Sequence, residues 1–153
     1  MWNDAKSVVL SLVSTWIAIV AVIAFAVWLP VAPKWFPYQE SILFRTETLA
    51  IVLPSLYGCC AAALVALICL HGLLKSIQAG EIFTLANVRR LRTISWCSFA
   101  IAGILVATCI FRIWTPAMIL IALAAGFFFL LMRVMKNIID AARLIKDEND
   151  YTI

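Results

Sequence analysis

Four long apolar runs divide the sequence, and the charged residues gather in the gaps between them. Val8 to Leu29 gives 22 residues without a charge, Leu49 to Leu74 gives 26, Ile94 to Phe111 gives 18 and Pro116 to Met132 gives 17. A helix that crosses a bilayer needs about 20 apolar residues, within a range of about 17–25. The four runs meet that requirement, the last two at its lower end. In hydrocarbon the backbone has no water to bond, so such runs close their hydrogen bonds internally as helices. The alternation over about ten residues that marks a membrane strand does not recur. The pattern predicts an all-α, integral membrane four-helix up-and-down bundle with cytosolic helical extensions, a single domain over residues 1–153.

Local punctuation agrees with this plan. Asn3 or Asp4 is placed to cap the first helix, and Pro30, Pro33 and Pro37 break the chain after it. The first run continues past the small-x-small triplet Ala24-Phe25-Ala26. That is longer than the apolar core of about 7–15 residues found in a cleaved signal. Thr46 or Thr48 caps the second helix, Pro54 lies inside it as a kink position, and Gly80 is its left-handed stop. Thr84 caps the third helix, and Thr115-Pro116 reads as cap and first turn of the fourth. Beyond Met132 the helical pattern continues. Leu131, Met135, Ile138, Ala142 and Ile145 form one stripe, and Arg133, Lys136, Asp140, Arg143 and Asp147 fall mostly on the other. Lys136–Asp140 and Arg143–Asp147 have the i,i+4 spacing of helix-supporting ion pairs. Residues 75–93 form a hairpin connection, and residues 133–153 a helical tail.

Composition narrows the class. Hydrophobic residues make up 65% of the chain, against about 45–50% in soluble domains. A globule of 153 residues has no interior that would hold them. A soluble enzyme, a disordered chain and a free nucleic-acid-binding domain are therefore excluded. The net charge of +4 matters less than its distribution. Nine of the 12 basic residues lie in the N-terminal segment, the hairpin and the tail. Lys34, Arg45 and Arg112 lie in the other two connections. The positive-inside rule then places both termini on the cytoplasmic side of a multi-pass membrane protein. Trp28, Trp35, Tyr38 and Trp114 sit where interfacial aromatics are expected on the outer side.

Candidate chemistry is sparse. Cys59, Cys60, Cys69, Cys97 and Cys109 show no C-x-x-C spacing and read as small apolar packing residues. His71 is the single histidine and reads as an interfacial or interhelix hydrogen-bonding residue. Charges inside the runs would mark an ion path, and none is present. In particular, the first run lacks the glutamate that four-helix multidrug exporters carry there. A Glu47–Arg112 pair is placed to tie the outer ends together. Gly58, Ala61, Ala62 and Ala66, then Gly103 with Ala107 and Ala122 with Gly126, permit close helix contact within the chain or between copies in a homo-oligomer. No nucleophile and base pair up, so the reading has no catalytic residues, no cofactor and no metal. Arg89, Arg90 and Arg92 form a basic run at the bilayer surface, where such residues touch anionic lipid rather than nucleic acid.

Two segments carry a family resemblance. One is Gly80-Glu81-Ile82-Phe83-Thr84 with Asn87, Leu91, Arg92 and Ile94. The other is the ending Lys146-Asp147-Glu148-Asn149-Asp150-Tyr151-Thr152-Ile153. With four spans in one short chain they resemble the small bacterial membrane family called domain of unknown function 2975. Its members carry a Gly-x-x-Phe-Ser/Thr-x-x-Asn segment before the third helix and an acidic Glu-Asn-Asp-Leu-Thr-Ile-like ending. Here Tyr151 replaces the usual Leu, and Ala86 stands where an acidic residue often precedes the Asn. The family has no assigned activity. The resemblance implies a membrane partner for a cytosolic helix-turn-helix transcription regulator, since its members are often encoded beside one.

Gly80, Phe83, Asn87, Arg89, Arg90, Arg92, Glu148, Asn149, Asp150, Tyr151, Thr152 and Ile153 form a motif that serves either as the surface for that partner or as a structural element. Phe83 is expected to pack into the hairpin corner and Asn87 to bond the backbone of the loop or the tail. The acidic ending either folds back toward Arg89, Arg90 and Arg92 or docks the partner as a short strand. The rival reading is a small transporter or bacteriocin-immunity-type protein that binds a ligand within the bundle, at a polar cavity near Ser55, Tyr57 and His71.

Overall fold

The computed structural model describes residues 4–31, 46–110 and 116–150, and all regular structure among them is helical. Four helices follow one another: α1 (Asp4–Trp28), α2 (Thr46–Gln78), α3 (Leu85–Ile110) and α4 (Pro116–Asp150). Each contains a stretch long and apolar enough to cross a membrane: Val8–Trp28, Ala50–Gln78, Leu85–Ile110 and Pro116–Lys146. The helices outrun the uncharged segments. α2 continues through Lys75 to Gln78, α3 begins at Leu85 ahead of Ile94, and α4 runs past Met132 to Asp150. Once nucleated, a helix extends at little cost into residues of adequate propensity. α2 passes through Pro54 without interruption, and Ser55 Oγ beside it donates to Val52 O at 2.8 Å.

Packing is serial. α1 packs on α2, α2 on α3 and α3 most extensively on α4, with no comparable contact between α4 and α1. The expected up-and-down bundle is therefore an open array among the described residues, not a closed ring of four. α3 lies between two neighbours, and its inward stripe is Asn87, Leu91, Ile94, Ser95, Ser98, Leu105 and Thr108. Two of its three hydroxyls bond within the helix: Ser98 donates to Ile94 O at 3.0 Å and Thr108 to Ile104 O at 2.8 Å. Small polar residues bonded to their own helix let neighbouring backbones approach without leaving a polar group unpaired. Gly58 of α2 marks one such approach, since a Cβ there would meet Ile104 Cδ1 at 3.2 Å.

A hydrogen bond and a ring contact are among the contacts that join α1 to α2. Tyr57 donates its hydroxyl to Ala26 O at 3.2 Å. Trp16 meets His71 edge-on, with ring centroids 5.6 Å apart. His71 Nδ1 is buried without a hydrogen-bond partner among the described residues. The hydrogen bond expected of His71 is therefore not seen among the described residues, and its contact with α1 is the ring contact with Trp16. The small-residue faces divide: Ala122 is buried, while Cβ atoms at Gly103 or Gly126 would meet nothing within 4 Å. Neither glycine is a point of close packing within the chain. Trp35, Tyr38, Lys34 and Arg45, and Arg112, Trp114 and Thr115, lie outside the described residues. So does the side chain of Glu47, and with it the Glu47–Arg112 pair.

Candidate functional site

The polar chemistry of the molecule concentrates where α2 turns into α3, here termed the hairpin end. α2 closes with a Schellman pair: Glu81 N donates to Ser76 O at 3.0 Å and Gly80 N to Ile77 O at 3.0 Å. That geometry needs a residue in the left-handed region, and Gly80 supplies it with φ 78°. Four residues on, Thr84 caps α3. Its Oγ1 accepts from Asn87 N at 3.4 Å, and its carbonyl accepts from Asn87 N and Val88 N at 3.1 and 3.3 Å. Stop and start signals stand this close together because one six-residue turn, Ala79–Thr84, must reverse the chain.

Asn87 locks the turn. It is 0% exposed, and its Nδ2 donates to Glu81 O at 2.8 Å and to Ile82 O at 3.0 Å. Two loop carbonyls that would face the helix interior unpaired are thereby satisfied. Of the two bonding partners expected for Asn87, loop and tail, the loop is the one it holds. Its Oδ1 accepts from Arg90 Nη1 at 3.0 Å.

Arg90 reaches across to α2. The same Nη1 lies 2.8 Å from Gly72 O and 2.8 Å from Ser76 Oγ. Two hydrogens are shared among three neutral acceptors, all charge-assisted. Gly72 leaves the room for this: a Cβ there would sit 3.1 Å from Arg90 Nε. The three arginines therefore differ. Arg90 is a half-buried internal strut, whereas Arg89 and Arg92 remain exposed. Gly72 and Ser76 escaped the sequence reading, because a carbonyl and a hydroxyl on an apolar helix announce no partner. The signal that would have found them is helical register, which sets them one turn apart on α2.

Phe83 does not fill the corner it was expected to fill. Asn87 occupies that space, and Phe83 is 42% exposed beside Ile82 at 38%. The fixed turn thus presents two apolar side chains outward.

α4 supplies the second part of this end. Ser95 Oγ of α3 donates to Phe129 O of α4 at 3.4 Å, which sets those residues level. In an antiparallel pair, Leu85 then falls level with roughly Ile139, so about three turns of α4 project beyond α3. The helix continues through Asp150, so the ending does not fold back within the described residues; Tyr151, Thr152 and Ile153 lie outside them. Asp140 pairs with Arg143 at 3.5 Å, not with Lys136 as its spacing suggested. The stripe of Leu131, Met135, Ile138 and Ile145 stays uncovered.

Elsewhere the described residues offer little polar chemistry. A shallow apolar groove between α1, α2 and α3 is lined by Val22, Phe25, Leu56, Cys59, Cys60 and Ile101, among others. Ser55, Tyr57 and His71 do not line it. All five cysteines are free thiols, and no three metal-ligating side chains gather among the described residues.

A family model described as "Protein of unknown function (DUF2975)" aligns with residues 5–153, nearly the whole chain. No curated protein and no solved structure matches.

Proposed function

The chain belongs to this family, and from that premise we propose that it is a non-enzymatic multi-pass membrane protein whose hairpin end docks a soluble cytosolic partner. The observation that carries the reading is the lock on the turn. Asn87, Arg90, Gly80 and Thr84 fix the backbone from Ala79 to Thr84, and the outcome is an outward-facing Ile82–Phe83 pair. A connection whose only task is to reverse the chain does not need a fully buried amide and a shared guanidinium. Rigid presentation of apolar side chains lowers the ordering cost of binding. The projecting part of α4, with one uncovered apolar stripe and charges beside it, extends the same surface.

Orientation follows from the basic residues. The hairpin and the tail carry most of them and lie on the cytoplasmic side of a bacterial cytoplasmic membrane. The partner class is the one the family resemblance implies, a helix-turn-helix transcription regulator. It is held through Phe83, Arg89 and the α4 ending with Glu148, Asn149, Asp150 and Tyr151.

Photocrosslinking in native membranes tests this, with a photoreactive residue at Phe83 and a second at Tyr151. Recovery of a soluble DNA-binding protein from both sites, and its loss in Asn87→Ala at equal protein level, supports the proposal. Adducts confined to this chain and to lipid overturn it.

A further inference from the structure

At the level where α3 and α4 leave their apolar segments, the two helices border a half-open cavity of about 280 Å³. Its lining is Arg92, Ser95 and Trp96 from α3, and Phe129, Arg133 and Lys136 from α4. Three cations from two helices thus converge on one space. No carboxylate pairs with any of them among the described residues; the nearest candidate by spacing, Asp140, is taken by Arg143. Gathering like charges without a counter-charge is unfavourable unless an anion completes the site.

The floor of the cavity is aromatic and touches one of the cations. Arg133 Cζ lies 6.0 Å above the Phe129 ring centroid, and Phe129 packs on Phe99 at 5.3 Å. Phe99 in turn meets Trp96 edge-on at 5.9 Å, with Trp96 59% exposed. Arg92 stands just before the apolar run that opens at Ile94, and Arg133 just after the run that closes at Met132. Cavity, cations and an exposed indole therefore share one depth, the boundary between apolar and polar segments on both helices. That is the depth at which a bilayer places phosphate groups, and indoles favour it too.

We infer that this cavity binds the phosphate of an anionic phospholipid headgroup. Arg92 and Arg133 donate in the forked geometry that suits phosphate, Lys136 adds a point charge, and the acyl chains run along the exposed apolar surface beside Phe99. The site rests on the membrane-spanning reading given above but not on the docking of any protein partner. It differs from general basic attraction to a membrane surface, because Arg89, exposed at the same end, takes no part in it.

Native mass spectrometry of the full-length chain in detergent tests the assignment, with phosphatidylglycerol, phosphatidylcholine and inorganic phosphate as separate probes. Phosphatidylglycerol should be retained at least tenfold better than phosphatidylcholine. Arg133→Gln and Lys136→Gln should each weaken that retention about fivefold, the equivalent of about 1 kcal/mol per surface cation. Arg89→Gln should leave it unchanged, and Arg133→Lys should restore much of it, which separates lost charge from lost folding. Equal retention of the two lipids, or equal loss in Arg89→Gln and Arg133→Gln, overturns the site. Displacement of phosphatidylglycerol by millimolar phosphate that itself binds overturns the lipid assignment in favour of a soluble anion. Alkaline carbonate treatment of vesicles keeps the failures apart. A chain that washes off overturns the membrane reading and the site together, whereas an inserted chain without lipid preference overturns the site alone.

Discussion

Asn87 brings a side-chain amide to a place solvent does not reach, and each side of that amide is used. Both donors go to loop carbonyls and the acceptor goes to Arg90. Removing one partner of a buried bond leaves the other group desolvated, at about 1–3 kcal/mol. Asn87→Ala strands two carbonyls, while Arg90 keeps Gly72 O and Ser76 Oγ. The expected loss is about 2 kcal/mol, read as a lowered thermal midpoint in detergent. Asn87→Asp separates the two halves of the network. It still accepts from Arg90, yet it cannot donate to Glu81 O or Ile82 O, so it should be destabilised as well. If it matches the unaltered chain, the loop is not held by Asn87. Gly80→Ala forces a Cβ into φ 78° and should cost about 1–2 kcal/mol. At this scale the sequence was readable where a residue's own backbone preference decides the outcome, as with the Gly80 stop and the Thr84 cap. It was not readable for Arg90. In a run of three arginines nothing local says which one turns toward α2, because that depends on the space Gly72 leaves across the interface.

The helices differ in how much of their length another helix covers. α3 has neighbours on two sides and a continuous inward stripe, whereas α4 outruns α3 at the hairpin end. Local opening is easiest where few contacts must break. Amides over residues 141–150 of α4 should therefore exchange faster than those over residues 91–108 of α3, by on the order of a hundredfold. Hydrogen exchange followed by mass spectrometry reads this directly. Equal protection would mean that the projecting turns are covered by something the isolated chain already supplies. That α4 continues past Met132 was legible, since apolar and charged stripes at helical spacing persist to Ile145. What the stripe faces was not legible. Periodicity marks a face that is apolar; here that face finds no helix within the chain, and Met135, Ile138 and Ile145 stay exposed. The same limit applies to Gly103 and Ala107, whose spacing implied close packing that this arrangement does not use.

Four helices long and apolar enough to cross a membrane could be counted from the sequence, but not the way they stand together. In water an apolar face identifies the side that packs. In lipid the surrounding solvent is as apolar as a neighbouring helix, so faces lose that meaning and association rests on small residues and hydrogen bonds. These helices are apolar nearly all round, and the serial array α1–α2–α3–α4 leaves most of that surface outward. A bilayer is the solvent that such a surface fits. Orientation then rests on charge: the basic residues of the hairpin and tail should keep that end inside, with the connection after α1 outside. Single cysteines placed in a background from which the five native thiols are removed would read this out, using a maleimide that does not cross membranes. Val31→Cys should label in intact cells, whereas Ile82→Cys and Ile145→Cys should label only after permeabilisation. The reverse pattern would invert the molecule and carry the lock at Asn87, the Phe83 surface and the Arg92–Arg133–Lys136 cavity to the outer side, where no cytosolic protein reaches them. Labelling of all three positions in sealed membranes would mean that the chain does not span. The apolar surface would then need a protein cover, and the depth argument that places phosphate beside Arg133 would fail with it.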